Sequence, residues 1–189
     1  VVALVGRPNV GKSALFNPIV GANTAIVSEA AGTTRDRHFS RADWAGRHFW
    51  LVDTGGLVED ADHPMDREIR RQVDQAIAES DVLLFVLDAR AGLHPSDARI
   101  AELLRTSGKP WLLVANKVDK PQSTDFYEFF NLGAGEPLPV SAVNGHGSGD
   151  LLDALIERFP EGEPEIEDVM KFAVIGRPNV GKSSIGNRL

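Results

Sequence analysis

Glycine, lysine and serine recur at one fixed spacing at two places in this 189-residue chain. The octapeptide GRPNVGKS occupies residues 6–13 and again residues 176–183, and both copies fit the pattern G-x-x-x-x-G-K-[ST]. In such a loop the glycines let the backbone wrap around a phosphate, the lysine brings positive charge, and the hydroxyl can ligate Mg²⁺. Each copy directly follows a short apolar run, as expected of a loop between a strand and a helix. The repeat therefore predicts two nucleotide-binding units.

The first copy contains the residues expected to contact the phosphates. Lys12 should reach the β- and γ-phosphates, and Ser13 should place its hydroxyl on Mg²⁺. A glycine-rich turn that binds nothing is the alternative, and the setting between a strand and a helix argues against it. The other predicted phosphate-binding residues are Gly6, Arg7, Pro8, Asn9, Val10, Gly11 and Ala14 in the first copy and Gly176, Asn179, Gly181, Lys182 and Ser183 in the second.

A second motif can choose between the purine bases. Residues 116–119 form the tetrapeptide NKVD directly after an apolar run. Asp119 can accept hydrogen bonds from both the N1–H and the 2-amino group of guanine, whereas adenine would leave a buried carboxylate unpaired. Asn116 can bridge to neighbouring loops, and the stem of Lys117 can lie along the base. The motif predicts a guanine nucleotide and argues against an ATPase.

Three further short motifs complete the predicted site. Asp53 begins the sequence DTGG after another apolar run and can hold Mg²⁺ through water, while Gly56 can donate an amide to the γ-phosphate. Thr34 can complete the Mg²⁺ shell when a triphosphate is bound, and residues 141–142 can close over the guanine edge with backbone amides. Taken singly, each would more often be an ordinary loop residue. The predicted cofactor-binding set thus also contains Asp53, Thr54, Gly55, Gly56, Leu57, Ser141 and Ala142.

The elements that must position these motifs follow from hydrophobic periodicity. Apolar runs of strand length lie at residues 1–5, 49–52, 82–87, 111–115 and 138–140, and amphipathic helical patterns cover residues 66–79, 95–106 and 150–159. Residues 40–51 indicate a hairpin around Ala45-Gly46, so one strand should be antiparallel. The pattern predicts an α/β P-loop NTPase fold: a doubly wound, mostly parallel sheet of about six strands with helices on both faces. Pro18 falls within the first helix and predicts that it is short or kinked.

Composition and domain organisation narrow the class of protein. We expect a first domain over residues 1–159, an acidic linker over 160–169 and the start of a second domain over 170–189. The net charge of −7 provides no bulk attraction to nucleic acid or to an anionic membrane. The absence of cysteine excludes disulfides and fits a cytoplasmic location, and no apolar run is long enough to span a bilayer.

Taken in order, GRPNVGKS, Thr34, DTGG, NKVD and Ser141-Ala142 resemble the five G motifs of the TRAFAC-class, translation-factor-like GTPases. The tandem octapeptides, together with GTTRD at residues 32–36, are similar to the Der (EngA) family of ribosome-assembly GTPases with two G domains. The resemblance implies GTP hydrolysis, Mg²⁺ as cofactor, and the second G domain as a partner in cis. It also implies the large ribosomal subunit and its RNA as partners, mostly through domains absent here, and no membrane.

The resemblance also bears on how hydrolysis would proceed. Leu57 stands near the place where signalling GTPases carry a water-orienting glutamine. In related GTPases an asparagine at the position of Asn9 ligates K⁺ between the β- and γ-phosphates; alternatively, Asn9 only caps its own loop. The predicted catalytic set is therefore Lys12, Thr34, Gly56 and Asn9, with Ser13, Thr34 and Asp53 on Mg²⁺ and Asn9 on K⁺.

A hydrolysing switch has alternatives of two kinds: a binding module without turnover, and a GTPase of another family. Because Leu57 cannot orient water, the domain can instead be a regulatory module that holds GTP with negligible turnover and controls the adjacent G domain. Membrane-associated and tRNA-modifying GTPases share the asparagine-containing loop, but they resemble this chain over one G domain only. The tandem repeat argues against both.

Overall fold

Parallel strands bring the predicted motifs to one edge of a sheet. The computed structural model describes residues 1–21, 38–54, 65–120 and 122–160. The strands are β1 (Val2–Val5), β2 (His38–Trp44), β3 (Arg47–Asp53), β4 (Val82–Asp88), β5 (Trp111–Asn116) and β6 (Leu138–Pro139). Their order is β2-β3-β1-β4-β5-β6; β2 pairs antiparallel with β3, and every other neighbouring pair is parallel.

Helices cover both faces of this sheet, as the sequence predicts. They are α1 (Lys12–Gly21), α2 (Met65–Glu79), α3 (Pro95–Ser107) and α4 (Ser148–Ile156), with a 3₁₀ helix at Tyr127–Leu132. Successive residues of β4 alternate between two buried clusters. Leu84 packs in the cluster formed with α1 and α4, whereas Phe85 packs in the cluster formed with α2, α3 and the 3₁₀ helix. The α/β doubly wound fold is thereby confirmed.

Most boundaries agree with the periodicity, and the exceptions have local causes. α4 ends at Ile156 instead of continuing to residue 159. The amides of Arg158 and Phe159 turn back to carbonyls three residues earlier, because Pro160 follows and disfavours helical geometry before it. α1 is 10 residues long and contains Pro18, in agreement with a short first helix. The 3₁₀ helix was not predicted.

Within the described ranges, no helix has both the length and the apolarity needed to cross a bilayer. The predicted acidic linker and second nucleotide-binding unit lie, from residue 161 onward, outside the described residues.

Candidate nucleotide-binding site

The loop between β1 and α1 requires glycine at two positions. Gly6 has φ 150°, and a Cβ atom there would lie 2.4 Å from the carbonyl oxygen of Val86 in β4. Gly11 has φ 94°, and its Cβ would lie 2.3 Å from Nδ2 of Asn116 in β5. Both backbones therefore approach neighbouring strands more closely than any side chain permits. The loop ends at the N-terminus of α1, where unpaired amides and the helix dipole favour an anion.

Lys12 lies buried across this loop. Its Nζ donates to the carbonyl oxygens of Gly6 at 2.8 Å and Arg7 at 2.9 Å. Burial lowers the pKa of Lys12 to about 8, against an opposing effect of the nearby Asp53 carboxylate. The ammonium is thus held at the mouth of the loop by weak neutral acceptors, which phosphate oxygens would readily replace.

Ser13 and Asp53 meet at the junction of α1 and β3. The Ser13 hydroxyl donates to Oδ2 of Asp53 at 2.5 Å, and Asp53 itself is almost fully buried. Thr54 donates its hydroxyl to the carbonyl of Leu4 at 2.6 Å, which ties the end of β3 to β1. In the described part of the chain, no cluster of three or more acidic or histidine side chains could hold a metal. A hydroxyl beside one carboxylate nevertheless fits Mg²⁺, which takes few protein ligands when phosphates supply the rest.

Asn116 joins two loops on the base side of the site. This fully buried side chain donates from Nδ2 to the carbonyl of Val10 at 2.9 Å. Its Oδ1 accepts the amide of Ala142 at 3.1 Å. The bridging role predicted for Asn116 therefore matches the geometry. It also means that the Ala142 amide is used within the protein, and the Ser141 amide likewise donates to His146 at 2.9 Å.

The carboxylate of Asp119 is surrounded by donors. Oδ1 accepts the hydroxyl of Ser141 at 2.7 Å and Nδ2 of Asn144 at 3.3 Å, while Oδ2 accepts Nη2 of Arg90. The hydrogen bonds from Ser141 and Arg90 hold the pKa of Asp119 below its usual value. Asp119 is thus an ionised acceptor, and the contact with the Ser141 hydroxyl was not predicted. The contribution of Arg90 was missed.

The side chain of Lys117 lies over the phosphate loop and is paired with Asp88, a residue that was not predicted to belong to the site. Nζ of Lys117 donates to the Asn9 carbonyl at 2.8 Å and to Oδ2 of Asp88 at 2.5 Å. Oδ1 of Asp88 accepts the amides of Arg90 and Ala91. Burial alone would raise the pKa of Asp88, but the Lys117 ammonium and the two amides lower it overall. Its position after an apolar run, like that of Asp53, was the signal available in the sequence.

Arg7 was predicted to bind phosphate, but its side chain points away from the phosphate loop in the structure. Nε of Arg7 donates to Oδ1 of the buried Asp97 at 2.7 Å, so this side chain reaches toward α3. Val10 is buried, whereas Pro8, Asn9 and Ala14 are exposed. Among the described residues, none makes a hydrogen bond to the Asn9 side chain. Predicted residues outside the described ranges are Thr34, Gly55, Gly56, Leu57, Gly176, Asn179, Gly181, Lys182 and Ser183.

Comparisons with known proteins identify the family. A family model described as 50S ribosome-binding GTPase matches residues 1–117. The chain is 69% identical over 189 residues to GTPase Der from Gemmatimonas aurantiaca and 50% identical over 192 residues to GTPase Der from Geobacillus kaustophilus. These matches cover 100% of the chain but only 43% and 44% of the relatives, so the chain spans less than half of their length.

Solved structures show the same fold, and two similar ones are of Era. Aquifex aeolicus Era bound to GDP·AlF4⁻ is 31% identical with a TM-score of 0.68, over 92% of this chain and 61% of that one. Era in complex with MgGDPNP and nucleotides 1506–1542 of 16S ribosomal RNA is 32% identical with a TM-score of 0.65, over 89% of this chain and 59% of that one. Because the family model matches more than half of the chain and the first relatives align with all of it, the chain belongs to the 50S ribosome-binding GTPases, among the proteins named GTPase Der.

Proposed function

We propose that this domain binds and hydrolyses GTP with Mg²⁺, as a switch in assembly of the large ribosomal subunit. One observation carries the nucleotide part: the loop of Lys12, the Ser13–Asp53 pair and the Asp119 carboxylate all lie at the carboxyl ends of parallel strands. Ligands of doubly wound folds bind at this edge, where successive strands diverge to either side of β1. Bound Mg²⁺ would neutralise charge on the β- and γ-phosphates.

The site residues that the structure describes would contact the nucleotide and its ions as follows. Lys12 would exchange two carbonyl acceptors for phosphate oxygens, and the paired Ser13 hydroxyl and Asp53 carboxylate would hold Mg²⁺. Asp119 accepts from the guanine edge. Asn9 offers a carboxamide that no described residue engages, and this donor type suits K⁺, which would supplement charge stabilisation where Leu57 cannot orient water. Thr34 and Gly56 complete the proposed catalytic set from outside the described ranges.

The ribosomal part of the proposal draws on the relatives. The matching family is described as ribosome-binding, and one structural neighbour, Era, has been solved with a segment of ribosomal RNA. We further propose that the protein acts in the cytoplasm and that its partners are the large subunit and its RNA. A second G domain, joined in cis by residues 160–169, would be a further partner. Cosedimentation with purified large subunits should be stronger with a non-hydrolysable GTP analogue than with GDP. Equal cosedimentation in both states would contradict the switch.

Single-turnover hydrolysis tests the enzymatic part. Lys12→Ala and Lys182→Ala, made separately in the full-length protein, assign turnover to the first or the second site. We expect the Lys182→Ala protein to hydrolyse GTP in Mg²⁺, faster in K⁺ than in Na⁺ or a large organic cation. Equal rates in all three cations would contradict the proposed K⁺ site at Asn9. Tighter binding of ATP than of GTP would contradict the proposal that Asp119 selects guanine.

The alternative, a GTP-binding regulatory module without turnover, is favoured specifically by Leu57 after DTGG. In that case the Lys182→Ala protein would bind GTP without hydrolysing it. In the protein with an intact second site, GTP bound at the first site would then change the rate at which the second site hydrolyses GTP.

A further inference from the structure

An arginine already occupies the carboxylate that guanine would use. Nη2 of Arg90 donates to Oδ2 of Asp119, the oxygen opposite the one that accepts from Ser141. A guanidinium presents planar, parallel N–H donors, and the N1–H and 2-amino groups of guanine present a similar pair. We propose that Arg90 is an internal competitor of guanine: it pairs with Asp119 when the site holds no nucleotide, and guanine must displace it. This inference rests on the proposed function, in which Asp119 reads the base.

The position of Arg90 is fixed by its backbone. Its amide and that of Ala91 donate to Oδ1 of Asp88 at 2.9 and 3.1 Å, and the Ala89 amide donates to the carbonyl of Asn116 at 2.9 Å. The turn after β4 is therefore pinned beside the NKVD loop that follows β5. The Arg90 side chain, by contrast, is 68% exposed and can swing into solvent without disturbing that turn.

The donors around Asp119 explain why displacement is needed. Ser141 and Asn144 occupy Oδ1, which leaves Oδ2 to Arg90. A base with two donors has to engage both oxygens, so its second donor meets the guanidinium on Oδ2. The pair lies at the surface, where an ion pair contributes little. The competition therefore weakens guanine binding without preventing it. Loss of Arg90 should tighten GDP binding about two- to five-fold.

Equilibrium and stopped-flow binding of fluorescent GDP test this inference. Every protein carries Lys182→Ala, so that only the first site reports. Arg90→Ala should lower the Kd for GDP about two- to five-fold. Arg158→Ala removes the same charge from an exposed residue beyond the far end of α4 and should leave the Kd unchanged. High ionic strength should shrink the difference between Arg90→Ala and wild type, because it screens the exposed pair.

A double-mutant cycle separates this competition from other effects of Arg90. Asp119→Asn should favour xanthine nucleotides, because a carboxamide can donate to the carbonyl that replaces the 2-amino group. In that background the ion pair is absent, so adding Arg90→Ala should leave XDP affinity unchanged. Weaker or unchanged GDP binding by Arg90→Ala in folded protein, verified by its unfolding transition, would overturn the inference. If wild type fails to bind GDP, the proposed function itself falls. If Asp119→Asn keeps its preference for GDP, the base assignment falls instead.

Discussion

The Arg7 guanidinium and the Asp97 carboxylate join the phosphate loop to the first turn of α3, with Nε and Oδ1 2.7 Å apart. The other oxygen of Asp97 accepts the amide of His94 at 2.9 Å, and Nδ1 of His94 accepts the amide of Ser96 at 3.1 Å. The two bonds form the capping box of α3. One fully buried carboxylate therefore caps a helix and anchors the loop that is proposed to hold the phosphates.

Asp97→Asn should destabilise the domain strongly. The substitution leaves the Arg7 charge, which is only 18% exposed, without its partner. Breaking a buried pair of this kind costs about 3 kcal/mol or more, measured as the free energy of unfolding in urea. Glu102→Gln is the matched control, because Glu102 pairs with Arg105 on the exposed face of α3 and should cost less than about 1 kcal/mol. Equal stabilities of the two variants would show that the Arg7–Asp97 pair does not anchor the loop.

Asn116→Ala and Asp119→Ala should have separable effects. Loss of Asn116 leaves the buried amide of Ala142 and the carbonyl of Val10 without partners, which costs about 1–3 kcal/mol of unfolding free energy for each group. Loss of Asp119 leaves only the buried Ser141 hydroxyl without its acceptor, because its other partners are exposed, so its cost should be smaller, about 1 kcal/mol. Both variants should lose GDP affinity.

Thermal unfolding without nucleotide, beside GDP titration, distinguishes the two roles. An Asn116→Ala protein of wild-type stability would show that the bridge contributes only to binding.

GDP binding should take up a proton above pH 8. Burial holds the pKa of Lys12 near 8 in the nucleotide-free domain, and phosphate oxygens would raise it again by favouring the ammonium. Affinity should therefore be greatest below pH 8 and should fall by up to about tenfold per pH unit above it. The lowered pKa also means that burying the ammonium costs stability below pH 8. This cost is relieved as the pH rises toward 10.5, the ordinary value of lysine.

Calorimetry in Mg²⁺-free buffers of different ionisation enthalpy measures the proton directly. At pH 8.5, the Lys182→Ala protein, in which only the first site reports, should show uptake, and the same protein with Lys12→Met should show none. Binding by the Lys182→Ala protein without proton exchange at that pH would contradict the assignment to Lys12.

The sequence was sufficient to predict the sheet, and the strand ends at which the predicted site residues lie, because both depend on local patterns. Continuous apolar strands fix which residues follow each strand end, and parallel pairing then brings Asp53, Asn116 and Asp119 together. The contacts of Arg7 could not be predicted in this way. Its partner Asp97 lies ninety positions away, and only the packing of α3 beside β4 and β5 brings it within reach.

Side-chain networks within the site were also beyond local pattern. Ser141 was predicted to use its amide, but that amide pairs with His146 and the hydroxyl contacts Asp119 instead. The short bridge between residues 141 and 146 decides this, and nothing in the spacing indicates it. His94 is exposed, yet its ring nitrogen caps α3, a role that no motif in the sequence indicates.

Asp88→Asn should speed the release of GDP, because Asp88 holds the side chain of Lys117 against the carbonyl of Asn9. A hydrogen bond between charged groups contributes about 1.5–3 kcal/mol, so its loss should raise the dissociation rate about tenfold or more. The carboxamide oxygen of the new asparagine can still accept the backbone amide of Arg90. The turn that carries Arg90 therefore keeps its position, and a change in rate does not arise from a change in the Arg90–Asp119 pair. Asp81→Asn makes the same charge change at the opposite, exposed end of β4 and should leave the rate unchanged. Stopped-flow chase of fluorescent GDP measures both variants; equal rates for them would mean that Lys117 holds its position over the loop without Asp88.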